Sequence, residues 1–253
     1  MRSMEDMSVL ITGGGSGIGA GAARHFVERG ALVTISGRRP EPLRRLADEL
    51  GPRCRAVVGD VTVAADRSAM IAAAADHGNG LDALLSNAGN MYRGDIDTLD
   101  EPALLEVFHT NVVAGMMLVG EAKPLLAASS GCVVFVGSVH TQRAFPGASP
   151  YAATKGALEA LTGVLAAELG PDGIRVGCVR PGAVLTEINV RAGLGTADEA
   201  AERLDALAGA HALGRIGTVA EIAEAFEYLV RAEWTTGAVL TVDGGLGLGV
   251  TNA

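Results

Sequence analysis

Apolar runs of strand length recur at residues 8–12, 31–36, 54–59, 81–86, 131–137, 174–179 and 238–242, and helix-length segments separate them. Strands that alternate with helices in this way form a parallel sheet covered on both faces. The pattern therefore predicts an α/β fold: a doubly wound, parallel, seven-stranded sheet flanked by helices on both sides. Helix boundaries are marked too. Ser149-Pro150 offers an N-cap and a proline at the first helical position, while Thr196 with Glu199 and Thr218 with Glu221 fit capping boxes. Gly30 and Gly170-Pro171 mark stops.

With 253 residues, 49% of them hydrophobic, the chain can bury a core as one domain over 1–253, and no linker divides it. Mean hydropathy is +0.31. Even so, apolar runs such as 112–120 are too short to span a bilayer, and no apolar stretch ahead of the first strand reads as a secretion signal. Cys54, Cys132 and Cys178 sit in apolar runs without metal or redox spacing, so they read as buried hydrophobes of a cytoplasmic protein with no metal site. A formal charge of −9 argues against general affinity for nucleic acid or acidic membranes.

Chemistry enters at the end of the first strand, where Thr12-Gly13-Gly14-Gly15-Ser16-Gly17-Ile18-Gly19 leads directly into a helix. A glycine turn at a helix N-terminus aims backbone N–H groups and the helix dipole at a pyrophosphate, the device of Rossmann-type dinucleotide folds. Two registers fit: glycines at 13, 17 and 19, or the pattern Gly15, Gly17, Ala20. In such sites an acidic residue at the end of the second strand holds a ribose 2′-hydroxyl, whereas arginine accommodates a 2′-phosphate. This chain has Ile35-Ser36-Gly37-Arg38-Arg39 there, with no carboxylate. Arg38, with Ser36 as a hydrogen-bond donor and Arg39 alongside, predicts NADP, with NAD also possible. Asp60-Val61 and Asn87-Ala88-Gly89 close the third and fourth strands, where ligands of open parallel sheets bind.

Tyr151 and Lys155 are four residues apart, and Ser138 lies thirteen before Tyr151. Helical residues at i and i+4 share a face, so the ammonium lies beside the phenol. A neighbouring cation favours phenolate, and lowering a phenol by about three units requires roughly 4 kcal/mol of differential interaction. The spacing predicts a general acid–base tyrosine.

These motifs, with Asn111, Pro181-Gly182, Thr186 and Asp243-Gly244-Gly245, resemble the short-chain dehydrogenase/reductase family over nearly the whole chain. The resemblance implies an NAD(P)-dependent oxidoreductase that interconverts a carbonyl and a secondary alcohol. Tyr151 would exchange the proton, Ser138 would polarise the carbonyl oxygen, and Lys155 would lower the phenol pKa and hold the nicotinamide ribose. Asn111 would bind a water linking Lys155 to solvent. Gly13, Ser16, Gly17, Ile18 and Gly19 would cradle the cofactor, with Pro181, Gly182, Val184 and Thr186 over the nicotinamide. Ser86 and Gly177 depart from the family pattern, and Ser16 stands where NADP-preferring members often carry a basic residue.

In the same resemblance, residues 186–214 form a substrate lid that contains Glu187, Asn189, Arg191, Leu194 and His211. His140, Gln142 and Asn189 are expected to meet a small-molecule substrate, leaning toward a hydroxylated one such as a sugar. A second reading is reduction of a 3-oxoacyl group on an acidic carrier protein, docked through Arg93, Lys123 and Arg143. A remote third is a cofactor-sensing scaffold. Family members associate through helices near 101–127 and 150–170, so a homodimer or homotetramer is expected.

Overall fold

The computed structural model describes residues 1–188 and 195–249. Its sheet follows from side-chain direction along each strand. In β1 (Ser8–Thr12), Val9 and Ile11 enter one core while Leu10 enters the other, because successive side chains point to opposite faces. Both faces need cover, and the whole strand is buried. β1 pairs in parallel with β2 (Leu32–Gly37), setting Ile11 beside Ile35, and with β4 (Ala83–Ser86), setting Ile11 beside Leu85. With β3 (Cys54–Val58), β5 (Cys132–Val136), β6 (Arg175–Pro181) and β7 (Ala238–Val242) the order is β3-β2-β1-β4-β5-β6-β7, all parallel. The order reverses between β1 and β4, which opens a crevice above their carboxyl ends.

One face is covered by α1 (Gly17–Glu28), α2 (Pro40–Leu50) and a late helix, which supply Phe26, Leu43, Leu46, Ile222 and Phe226. The other is covered by α3 (Ala64–Gly78), α5 (Ala114–Ser129) and α6 (Ser149–Leu169), with Met70, Leu118, Leu126 and Leu158 among the buried residues, and α4 (Glu101–Phe108) packs outside against α6. Each large apolar side chain fully buried there contributes about 1.5–3 kcal/mol. A smaller cluster of Val139, Ala183, Leu204 and Leu246 joins α7 (Ala197–Asp205) to the C-terminal turn. The late helix is α8 (Val219–Arg231).

Capping boxes form at both expected places. Thr196 N donates to Glu199 at 2.7 Å and Thr218 N to Glu221 at 2.8 Å, while each threonine hydroxyl accepts from its glutamate amide. Gly30 closes α1 with φ 90°, its amide donating to Val27. α6 begins one residue earlier than expected. Ala148 is its N-cap because the Ala148 carbonyl already accepts from Ala152, so Ser149 is inside the helix and caps nothing. β6 runs on to Pro181 because Pro181 still pairs with Val242.

The apolar run read at 112–120 belongs to a longer helical stretch, Glu101–Ser129, which by length and composition is apolar enough to cross a membrane. It carries Ala114, Leu118, Val119 and Leu126 into the core, and leaves Leu105, Val113, Met116 and Met117 exposed.

Candidate active site

The crevice is built on Thr12 at the end of β1. Its hydroxyl accepts from the amides of Asn87 and Ala88 at 3.1 and 3.0 Å, and the Asn87 side chain donates to the Thr12 carbonyl at 2.8 Å. These bonds fix the loop after β4 against the glycine loop. A Cβ on Gly19 would stand 2.4 Å from the Gly13 carbonyl oxygen, and Gly13 and Gly17 adopt φ of 65° and 53°. Only glycine meets all three demands together, so the turn uses the register 13, 17, 19.

Two cavities flank this turn. One of about 490 Å³ extends over Ser138, Tyr151, Lys155 and Pro181, and one of about 310 Å³ extends over Arg38, Arg39, Asp60 and Val61. Gly13, Ser16, Ala88 and Gly89 line both, so they form one elongated cleft across the helix N-terminus. A close backbone approach at its middle and polar groups at both ends fit a dinucleotide.

At the buried end, Tyr151 occupies the first turn of α6 and Lys155 the next. Both are buried, and Lys155 Nζ sits 5.4 Å from the phenol ring centroid while donating to the Val136 carbonyl at 2.8 Å. Ser138 follows β5 and lines the same cavity as Tyr151, with its Oγ 2.9 Å from His140 Nδ1. The Thr141 hydroxyl lies 2.9 Å from the Ser138 carbonyl and 2.8 Å from Glu159 Oε1, and Glu159 is paired with Arg180. Asn111 sits in a π-helical turn, His109–Val113, between α4 and α5. Its side chain accepts from the Asn90 amide at 2.8 Å and donates to the Asn90 carbonyl and to Thr154.

Burial dominates the electrostatics of this end. It pushes the Tyr151 phenol up to about 12, with Ser138 working the other way, and pushes the Lys155 ammonium down to about 8. Tyr151 is therefore not acidic in the protein alone. Lowering its pKa requires the ammonium of Lys155 together with the positive charge of an oxidised nicotinamide, because burial of the phenolate opposes Lys155 in the protein alone. Burial, with the charges of Arg93 and Lys155, pushes the His140 imidazole down to about 4.

The other end is open. Arg38 is 3.8 Å from Asp60, and Asp60 accepts from the amide and hydroxyl of Thr62. Arg39 donates to Ser16 Oγ at 3.2 Å and reaches across the cleft to Glu187 at 2.9 Å. Among the described residues no group of histidine, cysteine and carboxylate side chains could hold a metal.

The family model described as enoyl-(acyl carrier protein) reductase matches residues 13–247. A solved short chain dehydrogenase/reductase family protein is 34% identical, covers 96% of this chain and 98% of its own, and superposes with a TM-score of 0.83. The chain belongs to the short-chain dehydrogenase/reductase family. An A-factor type gamma-butyrolactone 1′-reductase (1S-forming) of Streptomyces virginiae is 35% identical over 96% of both chains. A crystal structure of 3-ketoacyl-(acyl-carrier-protein) reductase from Brucella melitensis complexed with NADH, 29% identical, covers 97% of this chain and 100% of its own, with a TM-score of 0.89. As a short-chain dehydrogenase/reductase, this protein is an NAD(P)-dependent oxidoreductase that interconverts carbonyl and alcohol.

Not every residue expected at the site meets the cleft. Ser36 is fully buried in β2, its Oγ has no partner, and it lines neither cavity, because the strand pleat turns it into the protein. Gly19 supports the turn from beneath without lining the cleft. Asn111 lies behind Gly89 with its side chain fully engaged. Gln142 is exposed, off the cavity, its side chain beside Gly247. Asn189, Arg191 and Leu194 lie outside the described residues. The expected His211 of the lid is buried, its Nδ1 bonded to the Leu207 carbonyl. Unforeseen were the apolar walls Phe145, Leu204, Leu207 and Leu246, and the Arg39–Glu187 pair. Each joins residues distant in sequence, and no spacing signals them.

Proposed function

We propose that the buried end of the cleft reduces a ketone, or oxidises the matching secondary alcohol, with Tyr151 moving the proton. The observation that carries this reading is the convergence of Ser138, Tyr151 and Lys155 on one cavity wall above the carboxyl end of β5. A nicotinamide held there would supply or take up the hydride. Tyr151 gives its proton to the forming alkoxide, and Ser138 polarises the same oxygen. Lys155 holds the cofactor ribose and stabilises the phenolate once the site also contains the positive charge of the oxidised ring. Asn111 acts through its backbone. The π-helical turn His109–Val113, in which Ala114 N donates to the His109 carbonyl, interrupts the regular ladder at Asn111, and a water held there would lead to Lys155.

Gly13, Ser16, Gly17 and Ile18 would hold the cofactor's pyrophosphate, Asp60 and Val61 would meet its adenine, and Asn87, Ala88 and Gly89 would support it from beneath. Pro181, Gly182, Val184 and Thr186 border the nicotinamide. Arg38 and Arg39 favour NADP, since neither faces a carboxylate of its own strand end. The whole chain acts as one dinucleotide-binding domain, and residues 186–214 serve as a lid over the substrate. His140 and the walls Met91, Phe145, Leu204 and Leu207 favour a ketone with an apolar body over a sugar. The exposed face of Glu101–Ser129 is read as the contact between copies in a cytoplasmic homodimer or homotetramer. Carrier-protein docking is less favoured. Lys123 is paired with Asp172, Arg143 donates to the Leu246 carbonyl and Arg93 to the Pro146 carbonyl, so each of the three cations already has a partner within the chain.

The test is a panel of apolar ketones, sugars and 3-oxoacyl thioesters with NADPH and NADH, followed by absorbance of the reduced cofactor. Turnover of apolar ketones that disappears in Tyr151→Phe is the expected result. Unchanged turnover in that variant would refute the role of Tyr151, and sugars outpacing apolar ketones would refute the substrate class.

A further inference from the structure

Ser138 has one hydroxyl proton and two neighbours able to take it. Its Oγ lies 2.9 Å from His140 Nδ1 and accepts from the His140 amide at 3.3 Å, and it lines the same cavity as the Tyr151 phenol. If Nδ1 is bare, it draws the Ser138 proton toward itself and away from the cleft. If Nδ1 carries hydrogen, Oγ accepts from the imidazole, and the Ser138 proton is left to point toward Tyr151, where a carbonyl oxygen must arrive. We propose that His140 is a positioning residue: as an Nδ1–H imidazole it donates to Ser138 Oγ and so commits the serine proton to the oxygen of the reacting carbonyl. This rests on the reading of Ser138 as the polarising hydroxyl.

Three features support it. The ring is fixed in place, tilted on Phe145 at 4.4 Å between centroids and edge-on to Tyr151 at 5.2 Å. The turn that carries it, Val139–Thr141, is pinned by Thr141 against the Ser138 carbonyl and Glu159. Its surroundings also keep it neutral: burial and the charges of Arg93 and Lys155 hold the imidazole near 4, well below the working range of the enzyme. A chain N–H to O–H to O=C polarises along its length, so the imidazole strengthens the serine as a donor as well as aiming it. His140 touches neither hydride nor transferred proton. It acts through Ser138.

Two measurements on the NADP-bound enzyme test this. The first reads the tautomer directly, from 15N spectra of ring-labelled histidine. The chain has five histidines, and His140→Asn identifies the resonance. A neutral Nδ1–H form between pH 6 and 8 that moves in Ser138→Ala is expected, and an Nε2–H form or an imidazolium overturns the proposal. The second is reduction of 9,10-phenanthrenequinone, an apolar dicarbonyl, by NADPH. His140→Leu, which keeps bulk but no donor, lowers kcat about tenfold with KM nearly unchanged, the scale of one hydrogen bond. His140→Asn, whose amide can reach the Nδ1 position, restores most of it. In a Ser138→Ala background the leucine effect disappears. Equal losses in Leu and Asn variants, or a loss that persists without Ser138, overturns the proposal. Wild-type enzyme that reduces no ketone at all refutes the reading of the cleft instead, and the tautomer measurement still stands on its own.

Discussion

Lys155 and Arg38 each bring a cation to the same cleft, and their surroundings differ at every level. Lys155 is 5% exposed, grows from a long helix, donates to a strand carbonyl, and has its charge penalised by burial. Arg38 is 65% exposed in its side chain and faces Asp60 at 3.8 Å, beyond a short hydrogen bond. The proton-transfer end is preorganised, with Lys155, Ser138 and Asn111 each bonded to main-chain partners. The recognition end is held by exposed ion pairs, which are worth ~0–1 kcal/mol each. Substitutions at the first end should remove chemistry, and substitutions at the second should re-weight cofactors.

The widest gap is expected from Tyr151→Phe. Losing a positioned acid–base group lowers kcat by about 10²–10⁴, while dissociation constants for NADPH, followed by cofactor fluorescence, stay within a few-fold. If the variant retains kcat but loses cofactor affinity, the two ends are not separable in this way. Next in size is Arg38→Asp. It trades attraction for repulsion at a 2′-phosphate and supplies an acceptor for a 2′-hydroxyl, so the NADP-to-NAD ratio of kcat/KM should fall about 10- to 100-fold, or ~1.4–2.8 kcal/mol. An unchanged ratio removes Arg38 from cofactor choice.

Burial at the preorganised end also makes stability depend on pH. Lys155 titrates near 8 in the folded protein against an ordinary 10.5, so between those values the unfolded chain binds more protons, and stability rises with pH. Tyr151 titrates near 12 against an ordinary 10, so from about 10 upward the folded chain keeps a proton that the unfolded one loses, and stability falls. Cofactor-free protein denatured by urea should gain stability from pH 8 to about 9 at up to ~1.4 kcal/mol per pH unit from Lys155, after which the thiols of Cys54, Cys132 and Cys178, pushed up by burial from 9.0 to about 12, 11 and 11, reverse the slope. Lys155→Met should remove the gain, and Tyr151→Phe should lessen the later fall without abolishing it, because the three buried thiols contribute to the same fall. A wild-type and Lys155→Met pair with parallel pH profiles would show that the ammonium is not desolvated.

The same contrast accounts for what the chain shows before folding is considered. All seven strands were legible because each is a continuous apolar run bounded by turn residues, and the tyrosine–lysine pair was legible because helical spacing alone brings it together. Ser36 was misplaced, since a strand residue can face either side and the pleat sends this one inward. Gln142 was misplaced because a single turn after Ser138 carries His140 into the cavity and the next polar residue out of it. The depth of burial that opposes ionisation of Tyr151 was not legible, because sequence shows a neighbouring charge but not how far from solvent the pair lies. The substrate walls were invisible, as Phe145, Leu204 and Leu246 meet only through the lid and C-terminal turn.

The smallest expected effect lies at the open end, in Glu187. Its carboxylate holds Arg39 at 2.9 Å across the cleft, in the place where the guanidinium would otherwise meet a 2′-phosphate. Both side chains are about half exposed, at 50% and 55%, so the pair itself contributes little to folding. It matters as a competitor. A phosphate approaching Arg39 must displace a bonded carboxylate and then sit beside its charge, whereas a dinucleotide with a bare 2′-hydroxyl does neither. Glu187→Gln should therefore tighten NADPH about threefold, a gain of ~0.7 kcal/mol, and leave NADH unchanged. The difference should shrink between low salt and about 0.5 M salt, because an exposed interaction is screened over a few ångströms there. Equal tightening of both cofactors would locate the effect in lid opening, with no competition for Arg39.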